Sequence, residues 1–473
     1  MRGDEAVSAP LPCPSRRIYP LNMIDIEKAP TRLHAALHAL DGAFEGDGAP
    51  DPFAELRRTA RGHFERLGVP TRRDEAWKYT DLRTALAHDY TFTTGATGLT
   101  ADEIDTAVAA AQVDGLDAFR VVVVDGVVDA ARSHLAALPA GVDAGSLREA
   151  AVAPGSAVAK YFSKYADVER NAFAALNTAF RLDGLFLHVR QGIELARPVH
   201  VVHVTAATAP TFVQTRHLVV AEANASATVV ETFVTAGTAE GLDGAGVTAA
   251  TFRNDLTEIV VGRGARLEHV RIQDEGPAAN GVGLVQVYQE ADSQATTLTF
   301  TFSTATARNN TAVVPAGPGC TSTIGGLYVC HGTQHVDTNT LVDHVAPGCV
   351  SNERFKGIVY DQSVGVFNGK VFVRREAQQT NAYQQSQGVV LSPDAKHFSK
   401  PELEIYADDV KCSHGSTTGA IDPEALFYLR ARGLSESQAR SLLLYAFAHD
   451  VVEMVASEPL RDHLDARIAE RLT

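Results

Sequence analysis

Positive charge and long apolar runs are both scarce in this sequence. Its 473 residues contain 42 Lys and Arg against 57 Asp and Glu, a formal net charge of −15. This sign disfavours nonspecific binding to phosphate backbones, and with it a nucleic-acid role. Mean hydropathy is −0.06, and apolar runs such as residues 121–124 are far shorter than the roughly 20 residues that cross a bilayer. We therefore predict a soluble protein with no nucleic-acid partner and no membrane segment.

Cysteine is also sparse, and its number is odd. The five cysteines are Cys13, Cys320, Cys330, Cys349 and Cys412. None belongs to a Cys-x-x-Cys pair, unlike the dense, even sets of secreted disulfide scaffolds. The first 22 residues also lack the apolar core of a secretory signal. We therefore expect reduced thiols in the cytoplasm. Residues 1–22 are expected to be a flexible extension, because Met23 is as suitable a start as Met1.

Motifs for nucleotide binding and for common hydrolytic sites are missing. The nearest approach to a Walker A loop, Gly365–Val371, has one residue too few between its glycines, and Val371 stands where a hydroxyl should bind magnesium. Two glycine-rich stretches, 262–267 and 281–286, lack the third glycine of a dinucleotide fingerprint. Gly-x-Ser-x-Gly and His-Glu-x-x-His are also absent. We predict that this chain binds no nucleotide.

The first part of the chain has mainly helical periodicity. Between about residues 31 and 88, apolar side chains recur three or four positions apart. The sole tryptophan, Trp77, is predicted to anchor a small core. Residues 119–124 predict a strand that Asp125-Gly126 turns into a hairpin. We assign residues 23–183 to an N-terminal helical and mixed domain.

Residues 184–415 are predicted to form many short strands. In Thr297–Ser303, apolar and polar residues alternate, as in a strand with one buried face. A β-sandwich or barrel and a β-solenoid both fit such a pattern. Amide pairs such as Asn309-Asn310 and Gln384-Gln385 can hydrogen-bond between successive coils, which favours the solenoid.

Residues 416–473 are predicted to be a C-terminal helical domain. Asp422 can cap the first helix, Pro423 suits its first turn, and Gly433 can end it. A second helix is predicted to start at Ser435, which begins a capping box. Its predicted apolar face consists of Leu442, Leu443, Ala446, Phe447 and Val451. Such helices would either seal the end of the solenoid or offer this face to another subunit.

Donor side chains that could bind a metal are densest between residues 320 and 349. They are Cys320, Cys330, His331, His335, Asp337, Asp343, His344 and Cys349. However, His331 and His335 share a face only on a helix, and the surrounding pattern predicts strands. We therefore favour ordinary strand and turn residues, with the cysteines as small buried side chains.

Cys412 and His414 form a more specific pattern. On an extended segment their side chains point the same way, about 6.5 Å apart, and the opposite parity of the apolar residues within Leu403–Ala407 predicts that both face outward. A bulge at Asp408-Asp409 would reverse this orientation. Thiolate and imidazole suit iron, zinc or an iron–sulfur cluster, but two ligands are too few. Another chain would have to complete the site; the alternative is a half-buried Cys beside a hydrogen-bonded His.

Several motifs together resemble one known family. They are Glu75–Thr80, Asn368-Gly369-Lys370, Gln378–Gln387, Lys400–Gly415 and Leu426–Gly433. Spread over residues 72–450, they resemble the SufD branch of the SufB/SufD family, part of the SUF iron–sulfur cluster assembly system. The resemblance implies a mainly β fold, a right-handed parallel β-helix flanked by N-terminal and C-terminal α-helical domains. It also implies pairing with SufB and binding of the ABC ATPase SufC, in a complex of one SufB, two SufC and one SufD.

The resemblance also implies roles for individual residues. Cys412 and His414 match the Cys-Ser-His motif of SufD, whose His lies at the SufB interface and is implicated in holding the nascent cluster with a SufB cysteine. A transient iron–sulfur cluster or iron is therefore expected at that interface. The candidate ATPase contacts are Phe427, Tyr428, Arg430, Leu442, Leu443 and Phe447.

The function implied by the resemblance is that of a non-enzymatic scaffold. A SufB-type paralogue is the close alternative, although the equivalent SufB segment resembles Leu-Glu-His-Glu and lacks Cys-Ser-His. A carbohydrate-active β-helix enzyme is the rival class, and it would need paired carboxylates along a groove. The one acidic ladder in the sequence that suits such a groove is Glu402, Glu404 and Asp408. Self-association of the isolated chain as a homodimer is left open.

Overall fold

The computed structural model describes residues 52–92, 99–181, 183–205, 209–236 and 249–472. The predicted extension with Cys13 and both candidate start residues lie outside these ranges. The helices are α1 (Ala54–Leu67), α2 (Ala101–Ala110), α3 (Leu147–Val152), α4 (Val158–Tyr161), α5 (Ala172–Phe180), α6 (Pro423–Ala431), α7 (Glu436–Val452) and α8 (Glu458–Leu472), with a short 3₁₀ turn at Glu75–Trp77.

The strands are β1 (Thr91–Phe92), β2 (Phe119–Val124), β3 (Val127–His134), β4 (Val142–Ser146), β5 (Leu185–Val189), β6 (Val199–Thr205), β7 (Thr211–Ala221), β8 (Ser226–Thr235), β9 (Thr251–Val261), β10 (Arg266–Asp274), β11 (Ala279–Gln289), β12 (Gln294–Ser303), β13 (Thr306–Pro315), β14 (Thr321–Cys330), β15 (His335–His344), β16 (Val350–Val359), β17 (Val364–Val373), β18 (Thr380–Val390), β19 (Lys396–Ile405) and β20 (Val410–Gly419).

Successive strands from β5 onward alternate between two sheets. One sheet runs from β4 through the odd-numbered strands to β19, and the other runs from β3 through the even-numbered strands to β20. Neighbouring strands within each sheet from β5 and β6 onward are parallel, as in the pair of β18 and β20. A chain that returns to the same two sheets in this way forms a parallel β-solenoid. The predicted fold class is therefore confirmed.

The interior of the solenoid is filled by alternate side chains of both sheets. Val229 and Phe355 come from even-numbered strands, and Ile259, Val287 and Phe367 come from odd-numbered strands, all within one apolar cluster. Because side chains alternate across a strand, the intervening residues point to the outer faces of the sheets. Those outer faces therefore need separate cover.

The helices supply that cover. On the odd-numbered sheet, Phe173 of α5 packs in one cluster with Phe212 and Phe252. On the even-numbered sheet, Leu444 of α7 packs in one cluster with Phe300. The C-terminal helices thus lie against the flank of the solenoid, so the alternative that they seal its end is wrong.

Several local predictions from the sequence are confirmed. Asp125 and Gly126, with φ of 45° and 86°, connect the antiparallel strands β2 and β3, as a tight hairpin turn requires. Asp422 caps α6 by accepting from the amide of Glu424, and Ser435 begins a capping box on α7.

The division of the chain at residues 183 and 415 stays a prediction. The sheets themselves extend past both positions. Strand β2 already pairs in parallel with β6, and β20 continues to Gly419.

Trp77 anchors the segment Glu75–Thr80 to the solenoid. Its ring lies 5.5 Å from that of Phe173 and 4.4 Å from the guanidinium of Arg308 on β13. Thr80 donates a hydrogen bond to Asp337 on β15. The expectation that this tryptophan anchors a core is confirmed, although that core is shared with the outer face of a sheet.

Candidate functional site

Strands β19 and β20 form the far end of the solenoid. Each is the last strand of its sheet in the part of the chain that the structure describes. Residues 413–419 of β20 are all exposed. Backbone N–H and C=O groups along such an edge are available to pair with another chain.

Cys412 and His414 lie on the same face of β20, as predicted. In the parallel ladder, Cys412 pairs with Ala382 and His414 pairs with Gln384. Both partners are buried, at 0% and 2% exposure, so this is the face that continues the interior of the solenoid. The prediction that the two side chains face outward is therefore wrong. His414 lies on the interior face, but it is exposed because no further strand covers β20 among the described residues.

A bend between β19 and β20 explains that error. Leu403 and Ile405 pair with Val371 and Val373, which belong to the interior cluster. Odd-numbered residues therefore point inward on β19, whereas even-numbered residues point inward on β20. The chain bends at residues 408–409, so the alternative in which this segment reverses the parity is the correct one.

The two candidate ligands differ in their surroundings. Cys412 is half-buried and packs against the interior cluster, and burial raises the pKa of its thiol. His414 is exposed, so its ring can contact a second chain. Among the described residues, no third His, Cys, Asp or Glu joins them in a metal-binding group. The pair on its own is an incomplete site.

The histidines near Cys330 have separate structural roles. The ring of His331 stacks on Tyr360 at 4.4 Å, and His335 Nε2 lies 2.9 Å from the hydroxyl of Thr80. His344 Nε2 lies 2.9 Å from the hydroxyl of Ser351. These contacts are of the kind that ordinary strand and turn residues make, and the expectation that these residues bind no metal stays a prediction. The cysteines of this region are also buried as predicted: Cys320, Cys330 and Cys349 each have 0% exposure.

A buried carboxylate surrounded by imidazoles was not predicted. Glu231 Oε2 lies 3.0 Å from His203 Nε2 and 3.8 Å from His217 Nε2, and Glu231 Oε1 lies 2.6 Å from His269 Nε2. These residues come from four strands, β6, β7, β8 and β10. The sequence shows each histidine at an alternating strand position but not the register that brings the strands together.

The ring nitrogens of this cluster favour hydrogen bonding over metal binding. Donor atoms of His203, His217 and Glu231 all lie within 4.8 Å of one another, which is close enough for a metal. However, His217 Nδ1 accepts a hydrogen bond from the amide of Leu185 at 2.8 Å, so Nε2 carries the hydrogen in the neutral ring. Burial alone would raise the pKa of Glu231, but the three imidazoles and Arg271 bring it well below its usual value.

The C-terminal helices form an open apolar groove. It is lined by Asp422, Pro423, Glu424, Ala425, Phe427, Tyr428, Leu429, Ala431, Leu442, Leu443 and Ala446. Phe427 is 75% exposed and Tyr428 is 57% exposed, which is unusual for aromatic side chains. Four of the six predicted partner contacts therefore share one groove, namely Phe427, Tyr428, Leu442 and Leu443.

The other two predicted contacts lie elsewhere. Arg430 Nη1 is 3.5 Å from a carboxylate oxygen of Glu436. Phe447 packs toward the sheet, with Lys356 Nζ 4.4 Å from its ring centroid. The predicted apolar face of α7 is consequently wrong in part. The buried residues of α7 are Ala439, Leu444, Ala448, Val451 and Val452.

Comparison with known proteins identifies the family. A family model described as SUF system FeS cluster assembly, SufBD core domain, matches residues 203–447. A second, described as SufBD protein N-terminal region, matches residues 42–201. The chain belongs to the SufBD family. These two matches cover the solenoid and the region before it.

Several bacterial proteins of the SufBD family are similar to this chain. The chain is 31% identical to the iron-sulfur cluster assembly protein SufD of Escherichia coli over 420 residues, covering 87% of this chain and 92% of that protein. It is 29% identical to an iron-sulfur cluster assembly SufBD family protein of Synechocystis over 447 residues, 92% and 94% of the two chains. SufD of Bacillus subtilis is 26% identical over 317 residues, 67% and 70% of the two chains.

In this SufBD family member, a lysine pairs with two of the three residues of the acidic ladder. Lys370 Nζ lies 3.2 Å from a carboxylate oxygen of Glu402 and 2.6 Å from one of Glu404. The hydrogen bond from Lys370 lowers the pKa of Glu404, whereas a glycosidase acid needs a raised pKa. Lys370 lies within β17, in the segment that partly resembles a Walker A loop.

In the described ranges, no helix combines the length and the apolar character that a membrane span needs.

Proposed function

We propose that this chain is a SufD-like scaffold subunit, which builds iron–sulfur clusters with a SufB-like paralogue and a SufC-like ABC ATPase and catalyses no reaction itself. The observation that supports this most is the end of the solenoid, which no further strand covers in the described part of the chain. There, β19 and β20 end their sheets, and His414 is exposed beside the half-buried Cys412. The proposed place of action is the cytoplasm.

The proposed pairing surface consists of β19 and β20. An edge strand binds another chain through main-chain hydrogen bonds, which extend the sheet across the interface. Pairing with the paralogue would bury the exposed residues 413–419 and bring its side chains next to His414. The same edge could accept a second copy of this chain, so a homodimer is the competing assembly when the paralogue is absent.

The cluster would be cargo held between two subunits. His414 would supply an imidazole nitrogen, and Cys412, two residues earlier on the same face of β20, would supply a thiolate. An iron–sulfur cluster usually takes four protein ligands, so the remaining ligands would come from the paralogue. Transient holding suits an incomplete ligand set, because the cargo must leave.

The proposed ATPase contact is the groove between α6 and α7. Its exposed aromatic side chains, Phe427 and Tyr428, are of the kind that dominate binding energy at interfaces. ATP would bind to the partner, since this chain has no nucleotide-binding motif. Dimerisation of the ATPase subunits on ATP binding would then pull on the helices and rearrange the interface at β20.

The test is to co-express the chain with its paralogue and ATPase and to compare wild type with His414→Ala. We expect the three proteins to co-purify in both cases, with cluster formation strongly reduced in the variant. Ser416→Ala, an exposed change on the same face of β20, is the matched control. An unchanged cluster yield in His414→Ala would contradict the ligand role.

Two further measurements separate the alternatives. Replacement of SufB function by this chain in a strain that lacks SufB would favour the SufB-type role. Turnover of a polyuronide or other glycan by the purified chain would favour the carbohydrate-active class. We expect neither, because Lys370 pairs with Glu402 and Glu404 and lowers the pKa of Glu404, the reverse of what a glycosidase acid needs.

A further inference from the structure

Gln384, one strand below His414, has a buried amide oxygen without a hydrogen-bond partner among the described residues. We propose that Gln384 is a positioning residue for His414. Its side-chain carbonyl accepts a hydrogen bond from one ring nitrogen and leaves the other nitrogen free to bind iron. This inference rests on the proposed ligand role of His414.

Three interior side chains are stacked in register at this end of the solenoid. Glu353 on β16 pairs with Gln384 on β18, and Gln384 pairs with His414 on β20. Paired residues of adjacent parallel strands project to the same side, with the strands about 4.8 Å apart. Glu353 and Gln384 are buried, at 3% and 2% exposure, whereas His414 is exposed. The stack thus leads from the core to the open end.

Glu353 fixes which way the Gln384 amide points. Gln384 Nε2 donates to Glu353 Oε1 at 2.9 Å, and the hydroxyl of Thr340 donates to Glu353 Oε2 at 2.5 Å. At pH 8, Glu353 is mainly ionised because its pKa is about 7, so it accepts hydrogen bonds and holds the NH₂ end of the amide. The oxygen is therefore the free end of Gln384, and an N–H is the partner that suits it.

Gly369 provides the space that this arrangement needs. A Cβ at Gly369 would overlap the amide nitrogen of Gln384 and the ring of Phe367. The glycine of Asn368-Gly369-Lys370 and the glutamine in the run Gln378–Gln387 are thus parts of one packed unit. Two motifs that carry no ligand themselves therefore both contribute to holding the amide under His414.

A histidine that binds a metal almost always donates its second ring N–H to an acceptor, which fixes the tautomer and the ring orientation. His414 lies at the exposed end of the stack, and the proposed hydrogen bond requires its side chain to rotate so that a ring N–H meets Gln384 Oε1. The opposite nitrogen then faces the partner chain. Satisfying the buried carbonyl stabilises this ring orientation.

The first test measures the tautomer of His414 in the full-length chain without any cluster. Two-dimensional ¹⁵N–¹H spectra of ¹⁵N-histidine-labelled protein at pH 8, assigned with His414→Ala, report which ring nitrogen carries the hydrogen. We expect one tautomer to dominate in the wild type and a mixture in Gln384→Leu. Gln385→Leu, an exposed neighbour on the other face, should match the wild type. Identical His414 spectra in wild type and Gln384→Leu would overturn the inference.

The double variant Glu353→Gln/Gln384→Glu, called the swapped pair, is a second test that does not depend on the folding of Gln384→Leu. It keeps an amide next to a carboxylate and still presents an oxygen to His414, so the wild-type tautomer should persist. Its loss in a folded swapped variant would overturn the proposal.

A second readout uses the assembled complex. Gln384→Leu should release iron to a chelator roughly tenfold to a hundredfold more readily, and the swapped pair should restore retention. Failure of the swap to restore it would count against a positioning role. If His414→Ala leaves cluster formation unchanged while the tautomer shift is observed, the hydrogen bond stands and the proposed function fails.

Discussion

Lys356 donates a hydrogen bond from Nζ to the backbone carbonyl of Phe447 at 2.8 Å. The same ammonium pairs with Asp450 and lies over the Phe447 ring. Lys356 is on the outer face of β16 and is 3% exposed, so this is a buried charge with several partners. It fastens α7 to the flank of the solenoid.

Replacing Lys356 with Met should destabilise the docking of α7. The change keeps most of the side-chain volume but removes a charged hydrogen bond, which costs about 2 kcal/mol. Urea unfolding measures the loss, and Lys396→Met, at an exposed position on β19, should change stability by less than about 0.5 kcal/mol. An equal effect of the two substitutions would show that the contact to Phe447 contributes little.

Replacing Phe427 with Ala should weaken ATPase binding without weakening the fold. The ring is 75% exposed, so its removal costs little folding free energy, whereas central interface aromatics contribute about 2 kcal/mol or more to binding. Titration calorimetry with the purified ATPase should show at least about a tenfold lower affinity. Val152→Ala, at a 62% exposed apolar residue outside the groove, should bind normally; equal affinities for both variants would disprove the groove contact.

The carboxyl of Glu353 should make the stability depend on pH. Burial raises its pKa to about 7, so the folded state binds the proton more tightly than the unfolded state does. Its contribution is therefore most favourable below the unfolded pKa of about 4.3 and is lost as the pH rises toward 7. The difference amounts to about 4 kcal/mol.

Glu353→Gln should remove this component. Urea unfolding of wild type and variant between pH 4.5 and 7.5 measures it, and the free energy of unfolding of the wild type should fall more steeply across that range. Parallel curves for the two proteins would show that the carboxyl titrates normally.

Glu231→Gln should be strongly destabilising. The carboxylate accepts hydrogen bonds from His203 at 3.0 Å and from His269 at 2.6 Å, one on each oxygen. An amide has only one acceptor oxygen, so one of these bonds is lost. Removing one partner of such a buried pair costs about 3–5 kcal/mol. Glu222→Gln is the matched control, because Glu222 also pairs with a histidine, His188, at 3.0 Å but is 30% exposed on its side chain. Because this pair is partly exposed, its loss should cost clearly less than the loss of the fully buried Glu231 contacts. The midpoint of thermal unfolding compares the two variants.

Local features of the fold were predictable because they depend on neighbouring residues. The hairpin at Asp125-Gly126 and the cap at Asp422 each follow from the preferences of a few side chains. The inward or outward orientation of His414 was not predictable in this way. It depends on whether the bend at residues 408–409 preserves or reverses the alternation, and both outcomes fit the same local sequence.

Features that depend on register between strands were hidden in the sequence. Glu231 and His269 are far apart along the chain, and only the pairing of β8 with β10 brings them together. The stack of Glu353, Gln384 and His414 depends on register in the same way. The packing of α7 on the even-numbered sheet could not be predicted either. The apolar periodicity of a helix does not specify which of several apolar surfaces the helix covers.

The attachment of the C-terminal helices determines where mechanical load enters the molecule. Their apolar cluster includes side chains of β12, β14 and β16 and has Val389 of β18 packed against it, whereas β20 continues the sheet beyond that contact. Close-packed interiors are stiff and transmit strain. A force applied to α7 would therefore be transmitted to the last strand of the sheet. The largest displacement would occur at the end that carries His414.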